Sequence, residues 1–577
     1  MESSHRKSGD RFRHALPVMG LAVGTPALLA LTRSVQQTGD GLLYAYAVKT
    51  GENLFHPHHL AYAPVVRSVW LAFGSWGPGW DPLAAAQLHG IAWATVAVVS
   101  FYLAARRVLD WTAAAMAGAL ALLSAQGFWM LSTHSIPYVP AVGCLAAALY
   151  LLVRRSPEPP DGRALLGVSL LWGVSILYHQ ANVLFAVPLL VYLRSVGVVP
   201  LGRALAKAYL PAGALVGSAY VAAVMAGPRP GLGELVRFPF DYALFPNPSW
   251  GTFRHIGPSG LVSWLTNQAW SLVAIPRSFA SAIAAVVTLI VFGVLIWTVR
   301  QVRVRADHRP LRILLLTWVG VYLAFFLWWL PEHKPLFVLT VLPIVFLGLM
   351  TFVDLAKSTD YFGIGRARSA AVAVAAVALV GVFHLVVVIL PLHSTPRPSY
   401  SEARALSERV DPACYVMASY EVAQTLRYHF DRPRSTHARF PLLCIYQDQP
   451  LPDELDIRDG ECVVMAAAYL RPDRKLYGFD GYGAPDRFRG FIGWLLDVRD
   501  NERIDHAAVR PLRTDTDQSY VVIGPGRESH DDWASFLADL DSVVPWDDRP
   551  FAKWIERHAP PPPPAPPARA RQASAAD

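Results

Sequence analysis

Apolar runs alternate with short polar connectors along the first two-thirds of this chain. After a polar start carrying Arg6, Lys7, Arg11 and Arg13, a run extends from about Ala15 to Leu31. Further runs at about 83–105, 112–131, 137–153, 164–178, 181–194, 207–226, 278–299, 311–329, 336–354 and 369–391 bring the expected membrane spans to about eleven. Several are shorter than the ~20 residues a straight crossing needs. The pairs around residues 134 and 179 are therefore expected to be broken or tilted helices, of the kind found beside water-filled cavities. The small-residue pattern of a signal cleavage site is poor, so the first run is read as a retained span with a cytoplasmic N-terminus.

Two long outer connectors interrupt the alternation. The first, 33–82, contains an apolar stretch from Leu60 to Phe73 that predicts a helix at the interface or a short re-entrant one. The second, 227–277, is rich in Pro, Gly and aromatics, and carries Arg237, Asp241, Trp250, Arg254 and His255. A connector longer than about 15 residues is usually functional or disordered, and these aromatics argue against disorder.

From 393 to 558 the pattern becomes that of a small soluble α/β domain. Strands are expected at 414–418, 442–446, 462–465 and 520–523, and helices at 421–430, 488–497 and 531–540. Gly524-Pro525-Gly526 lacks the remaining glycines of a dinucleotide fingerprint and is read as a turn. The Pro-rich tail, 559–577, is expected to be disordered.

Composition supports a polytopic membrane protein. Of 577 residues 53% are apolar and only 16% charged, against about a quarter charged in soluble proteins; mean hydropathy is +0.32. The net charge of +8 does not indicate nucleic-acid binding, because the basic residues sit mostly in short loops between apolar runs. Arg106 and Arg107; Arg154, Arg155 and Arg163; Arg194, Arg203 and Lys207; Arg300, Arg303, Arg305 and Arg309; and Lys357, Arg366 and Arg368 all fall on the side predicted to be cytoplasmic. An odd span count then puts the C-terminal domain on the opposite, extracytoplasmic side. Of four cysteines, Cys144 lies in an apolar run. Cys414, Cys444 and Cys462 lie in the soluble region, where one pair is expected to be oxidised if that region is outside; the sequence does not say which.

The candidate chemistry is concentrated in the first outer connector. Asp40 lies in Gly39-Asp40-Gly41, just beyond the first span, with Tyr44 one helical turn on. It reads either as a turn residue or as a base for a hydroxyl acceptor, a role that typically supplies about 10²–10⁴ in rate. His56, His58 and His59 leave three readings open: a divalent metal, hydrogen bonds to a phosphate, or interfacial packing. His134, Tyr138, His179 and Gln180 lie at predicted outer ends of spans and either reach the interface or line a cavity under the first connector. Glu332 and Lys334 lie in an outer turn after Trp328-Trp329-Leu330-Pro331. There Lys334 is placed to meet an anionic lipid head, with Arg237 and Arg254 as competing cations.

The first connector, with Asp40, Tyr44, Gly51 and Phe55-His56-Pro57-His58-His59-Leu60, resembles that of integral-membrane GT-C glycosyltransferases. Tyr178-His179-Gln180-Ala181-Asn182 and Trp329-Leu330-Pro331 through Leu342-Pro343 also resemble segments of bacterial members. The nearest branch is the one containing the protein O-mannosyltransferases and the lipid A aminoarabinose transferases, and the likeness covers about 14–392. The resemblance implies a polyprenyl-phosphate-linked sugar donor entering from the bilayer, and inverting transfer to a hydroxyl of a glycan, lipid or protein. It further implies Asp40 as base, Lys334, Arg237 or Arg254 on the leaving phosphate, and His56, His58 and His59 shaping the donor site. Two departures stand out: Gly41 occupies the position where mannosyltransferases of the family carry a Glu, and the region around His134 lacks a carboxylate. A transporter of lipid-linked substrates, or a non-catalytic membrane partner binding through its C-terminal domain, are the alternatives. No internal repeat favours the transporter.

Overall fold

The computed structural model describes residues 2–74, 77, 80–156, 158–198, 200–227, 230–240, 251, 256–273, 280–304, 308–360, 365–437, 462–467, 507–513, 519–525 and 540–542. The chain divides into two compact units, Met1–Arg397 and Pro398–Asp577.

The first unit is helical. Helices α1 (Glu2–Leu31), α2 (Gly39–Thr50), α3 (Tyr62–Ala72) and α4 (Pro82–Leu109) lead into α5 (Thr112–Ser124) and α6 (Gln126–Ser132). Next come α7 (Tyr138–Val153), α8 (Gly162–Tyr178), α9 (Ala186–Ser195), α10 (Leu201–Ala226) and α11 (Leu232–Arg237). Helices α12 (Pro258–Leu272), α13 (Ala280–Val304), α14 (Arg309–Trp329), α15 (Val338–Asp360) and α16 (Arg366–His384) complete the bundle. Among the described residues five helices, beginning at Pro82, Leu201, Arg309, Lys334 and Ala371, are long and apolar enough to cross a bilayer. The pair α5–α6, bent by 64°, makes a sixth if it is one span, and four more apolar helices are shorter. Among the described residues, length and composition thus yield fewer full-length crossings than the eleven or so expected.

Helical geometry is interrupted at both predicted places, around 134 and 179, and also at Ala125, inside the run expected at 112–131. At Ala125 the backbone is extended (φ −59°, ψ 126°), which separates α5 from α6. Helix α6 then ends in the turn around His134 that leads into α7. At His179 the backbone is again extended (φ −153°, ψ 109°), and a 3-10 turn, Gln180–Phe185, follows before α9. A break at membrane depth must satisfy its freed polar groups within the protein. Asn182 does so: its Nδ2 donates to Ser175 Oγ at 2.7 Å, its Oδ1 accepts from Tyr322 at 2.8 Å and its carbonyl accepts from Trp172 Nε1 at 2.7 Å.

The predicted interfacial helix in the first connector is α3. Gly39-Asp40-Gly41, by contrast, is not a free turn but the first turn of α2. Thr38 caps it, its Oγ1 accepting from Gly41 N at 3.0 Å. The far end of α2 is held by Arg67 of α3, whose guanidinium donates to the carbonyls of Val48 and Lys49.

The second unit contains a five-stranded sheet in the order β2-β1-β3-β5-β4. Strands β1 (Tyr415–Ala418), β2 (Ser435–His437) and β3 (Val463–Ala466) are parallel; β5 (Ser519–Pro525) runs antiparallel to β3, and β4 (Ala507–Arg513) antiparallel to β5. A helix, Tyr420–His429, connects β1 to β2. The predicted strands at 414–418, 462–465 and 520–523 and the helix at 421–430 are present. Gly524 and Pro525, read as a turn, instead pair with Ala508 and Ala507 in the sheet. The expected strand at 442–446, the helix at 488–497, most of the helix at 531–540 and the tail lie outside the described residues. The oxidised pair is Cys414–Cys462, joining the approaches to β1 and β3; Cys144 is buried and free.

Candidate active site

Asp40 projects from the first turn of α2, where the backbone N–H groups of a helix start favour a carboxylate. It is half-buried and lies within electrostatic reach of Tyr138, from the start of α7, and of His333, from the turn between α14 and α15. Those two side chains are hydrogen-bonded to each other, Tyr138 Oη to His333 Nε2 at 2.9 Å. Burial pushes His333 below the ordinary histidine range, and the Asp40 charge opposes that shift.

The approach of α2 to the 132–135 turn fixes this arrangement. Gln37 Oε1 accepts from Ser135 N at 2.9 Å, and Gln87 Nε2 donates to Ser34 O and Thr133 O at 2.7 and 2.8 Å. Glycine is needed at two points of contact. A Cβ at Gly90 would stand 2.8 Å from Ser132 O, and one at Gly41 would lie 3.2–3.3 Å from Thr38 Oγ1, Gln37 Oε1 and Ser135 O.

Beside Asp40 runs a continuous set of ring contacts. His58 meets His56 edge-on at 5.9 Å, and His56 stacks on His59 at 5.2 Å. His59 meets His179 at 4.8 Å, and His179 meets Tyr138 at 4.7 Å. Tyr44 packs edge-on against His56, His59 and Tyr62, and Trp329 reaches His58 at 6.3 Å. The backbone locks this segment onto the helix break: Gln180 N donates to His58 O at 2.9 Å and Ala61 N to Leu177 O at 2.9 Å. Gln180 Nε2 donates to Pro239 O at 2.7 Å, tying in the start of the second outer connector.

The rings are held neutral. Burial, then the neighbouring His58, takes His56 down to about 3, and burial takes His58 to about 4. His59 and His179 are lowered by burial first, and then by repulsion from their fellow histidines. Among the described residues no group of three His, Cys, Asp or Glu side chains is arranged to hold an ion.

The structure thus brings together Asp40, Tyr44, His56, His58, His59, Tyr138 and His179 from the sequence-based candidates. Gln180 serves as a strut between the outer connectors. His134 stands apart from the ring cluster: it is wholly buried and its Nδ1 donates back to Met130 O at 2.6 Å, so it does not line an open cavity. Lys334 and Glu332 are exposed on either side of His333, with the Lys334 ammonium 5.7 Å from the Trp270 ring centroid. Arg237 is exposed at the end of α11. Arg254 and Asp241 lie outside the described residues. Sequence reasoning missed His333 and Tyr62 as members of the site. The available signal for His333 was its place in a polar tripeptide directly after an aromatic outer end.

The sequence model of the family described as dolichyl-phosphate-mannose-protein mannosyltransferase matches residues 81–226. No curated protein sequence matches the chain. Among solved structures, ArnT from Cupriavidus metallidurans bound to undecaprenyl phosphate superposes with a TM-score of 0.52 at 14% identity, covering 88% of this chain and 97% of that one. The same protein in its apo state gives 0.53 at 14% identity, covering 88% and 98%. Identity at this level speaks to fold. The chain is a multi-pass membrane protein with the GT-C glycosyltransferase fold, resembling the branch of the protein O-mannosyltransferases and the aminoarabinose transferases.

Proposed function

We propose that this chain moves a sugar from a polyprenyl-phosphate-linked donor to a hydroxyl acceptor on the extracytoplasmic face of the cell membrane, with inversion at the anomeric carbon. The observation that carries this reading is Asp40 on the first turn of α2, facing the Tyr138–His333 pair and flanked by the histidine and aromatic cluster. A base that takes a proton from a hydroxyl needs a carboxylate in a site that is reachable but short of water. Asp40 fits this description: it is half-buried among rings and anchored by its helix. The likeness to a protein whose structure holds undecaprenyl phosphate supports a lipid-phosphate donor. The mannosyltransferase family match supports sugar as the transferred group.

In the mechanism, Asp40 accepts the hydroxyl proton as the acceptor oxygen attacks the anomeric carbon. The bond from that carbon to the phosphate oxygen breaks, and its electron pair stays on the phosphate. His56, His58 and His59 shape the donor side, with Lys334, Arg237 or Arg254 as the cation that holds the phosphate. Aromatic faces, Trp329 among them, offer stacking surface to a sugar. The basic connectors between spans support a cytoplasmic N-terminus and hence an outer position for this site.

The test is Asp40→Asn in the purified full chain, with a synthetic polyprenyl-phosphate-linked sugar as donor. The variant should fold and bind lipid normally while transfer falls by about 10²–10⁴. Near-wild-type transfer would remove Asp40 from the role of base.

A further inference from the structure

We infer that the stem leading into the C-terminal unit, residues 392–395, sets the position of Asp40 by gripping the segment that joins α1 to α2, and that His393 is the positioning residue on this stem. The inference rests on the glycosyl-transfer reading above and adds to it the part of the chain that keeps the base in place.

The grip follows from how the last span ends. Beyond α16 the chain continues through a π-helical turn, Leu385–Ile389, into a final helical turn, Leu390–Ser394. A helix leaves the carbonyls of its last turn without intrahelical partners. For Leu392 the sequence makes this certain, because the residue four positions on is Pro396, which has no N–H to donate. The strap at 33–37 supplies the donors instead. Leu392 O accepts from Val35 N at 3.0 Å, from Gln36 N at 3.2 Å and from Ser34 Oγ at 3.2 Å. Two side chains close the grip from either partner. Gln36 Nε2 donates to Thr395 O at 2.5 Å, and His393 Nδ1 donates to Arg33 O at 2.6 Å.

From the strap the path to Asp40 is short. Ser34 O accepts from Gln37 Nε2 at 3.2 Å as well as from Gln87, Gln37 Oε1 accepts from Ser135 N, and Thr38 caps the turn that carries Asp40. The start of α2 is thus fixed on one side by α4 and the 132–135 turn, and on the other by the stem. The two sides differ in exposure. The bonds of Gln37 and Gln87 are buried, whereas those made by the Gln36 and His393 side chains are exposed. The stem side can therefore open without unpacking the bundle, which makes it the adjustable one. Arg397, just past the stem, lies within electrostatic reach of His134 in that same 132–135 turn. The second unit begins at the next residue, Pro398, so a pull on its attachment reaches the strap along the chain.

The test uses the full chain in lipid nanodiscs, with two readouts. The first, hydrogen exchange of the amides at 34–45, needs no substrate. His393→Ala removes an exposed side chain and should speed exchange there by about two- to tenfold, the share of one hydrogen bond, while α4 and α7 keep their wild-type rates. Unaltered exchange at 34–45, or faster exchange throughout the bundle, would overturn the inference. The second readout is sugar transfer with the synthetic donor used for Asp40→Asn. His393→Ala should lower kcat by roughly tenfold, a fraction of the hundredfold that a 1 Å misplacement can cost, with the donor KM unchanged. His393→Asn keeps an N–H near the place of Nδ1 and should restore most of the rate. Added to Asp40→Asn, His393→Ala should remove nothing more, because it acts only through the carboxylate. An unchanged kcat, a loss confined to KM, or a loss that adds to that of Asp40→Asn would each overturn the inference. Near-wild-type transfer by Asp40→Asn, or no transfer by the wild-type chain, would instead overturn the functional reading.

Discussion

Replacing Gly41 tests whether the helix that carries Asp40 is held as tightly as its contacts imply. A methyl group there would meet two side-chain oxygens and one backbone oxygen at 3.2–3.3 Å. Ser135 O belongs to a buried turn and cannot retreat, so the strain falls on Gln37 and Thr38. If the Gln37 carboxamide withdraws, Ser135 N loses its partner in a buried setting, at a cost of about 1–3 kcal/mol. Weakening the Thr38 cap adds up to about 1 kcal/mol. Against this, alanine gains about 0.5–1 kcal/mol over glycine within a helix. Gly41→Ala is therefore expected to destabilise by about 1–3 kcal/mol and to shift the start of α2. A displacement approaching 1 Å at the reacting group can cost about a hundredfold in rate. The assay pairs thermal unfolding in detergent with initial rates of sugar transfer. Unchanged melting together with an unchanged rate would refute the reasoning. Gly41→Glu should be worse, because a longer side chain must leave from the same crowded position.

Two further outcomes follow from buried charge. Arg312 and Asp354 form an ion pair at 2.8 Å, with side chains only 3% and 5% exposed. Asp354→Asn leaves a guanidinium uncompensated in the bundle and should cost about 3–5 kcal/mol, read as a lower melting temperature, whereas Arg312→Met with Asp354→Leu should recover most of the loss; no change in the single variant would contradict this. The second concerns pH: His56 and His58 titrate at about 3 and about 4 in the folded chain, against about 6.5 unfolded. Below pH 6.5 the unfolded state then binds more protons, so the stability these rings contribute is full above 6.5 and is lost as pH falls toward 4. The melting temperature should drop over that window and drop less in His56→Gln, and a flat wild-type profile would count against the burial of these rings.

Much of the architecture is legible in the sequence because apolar length and flanking charge are local properties. The runs near 134 and 179 are too short for straight crossings, and breaks occur at both places. Asp40 is harder to read. Gly-Asp-Gly has the composition of a turn, and only Thr38 with the helix-compatible stretch after it marks a capped start. The partnership of Tyr138 and His333 cannot be seen at all, because 195 positions separate them and neither lies in a periodic pattern that names its neighbour. In the sheet, both edge strands escaped notice. Strand β2 is only three residues long, Ser435–His437, and β4 carries Pro511, a residue tolerated at a sheet edge but a poor signal of a strand. Both edges lack the apolar run that makes β1 and β3 conspicuous.

The bond between Cys414 and Cys462 bears on more than the stability of the C-terminal unit. Thiols in a reducing cytosol rarely remain joined, so this link fits the extracytoplasmic position expected for the unit. It argues for the oxidising side, the one that the distribution of arginines and lysines assigns on unrelated grounds. Protein synthesised without export would carry three unpaired sulfurs there, Cys444 included, and so be a different covalent molecule despite its identical sequence.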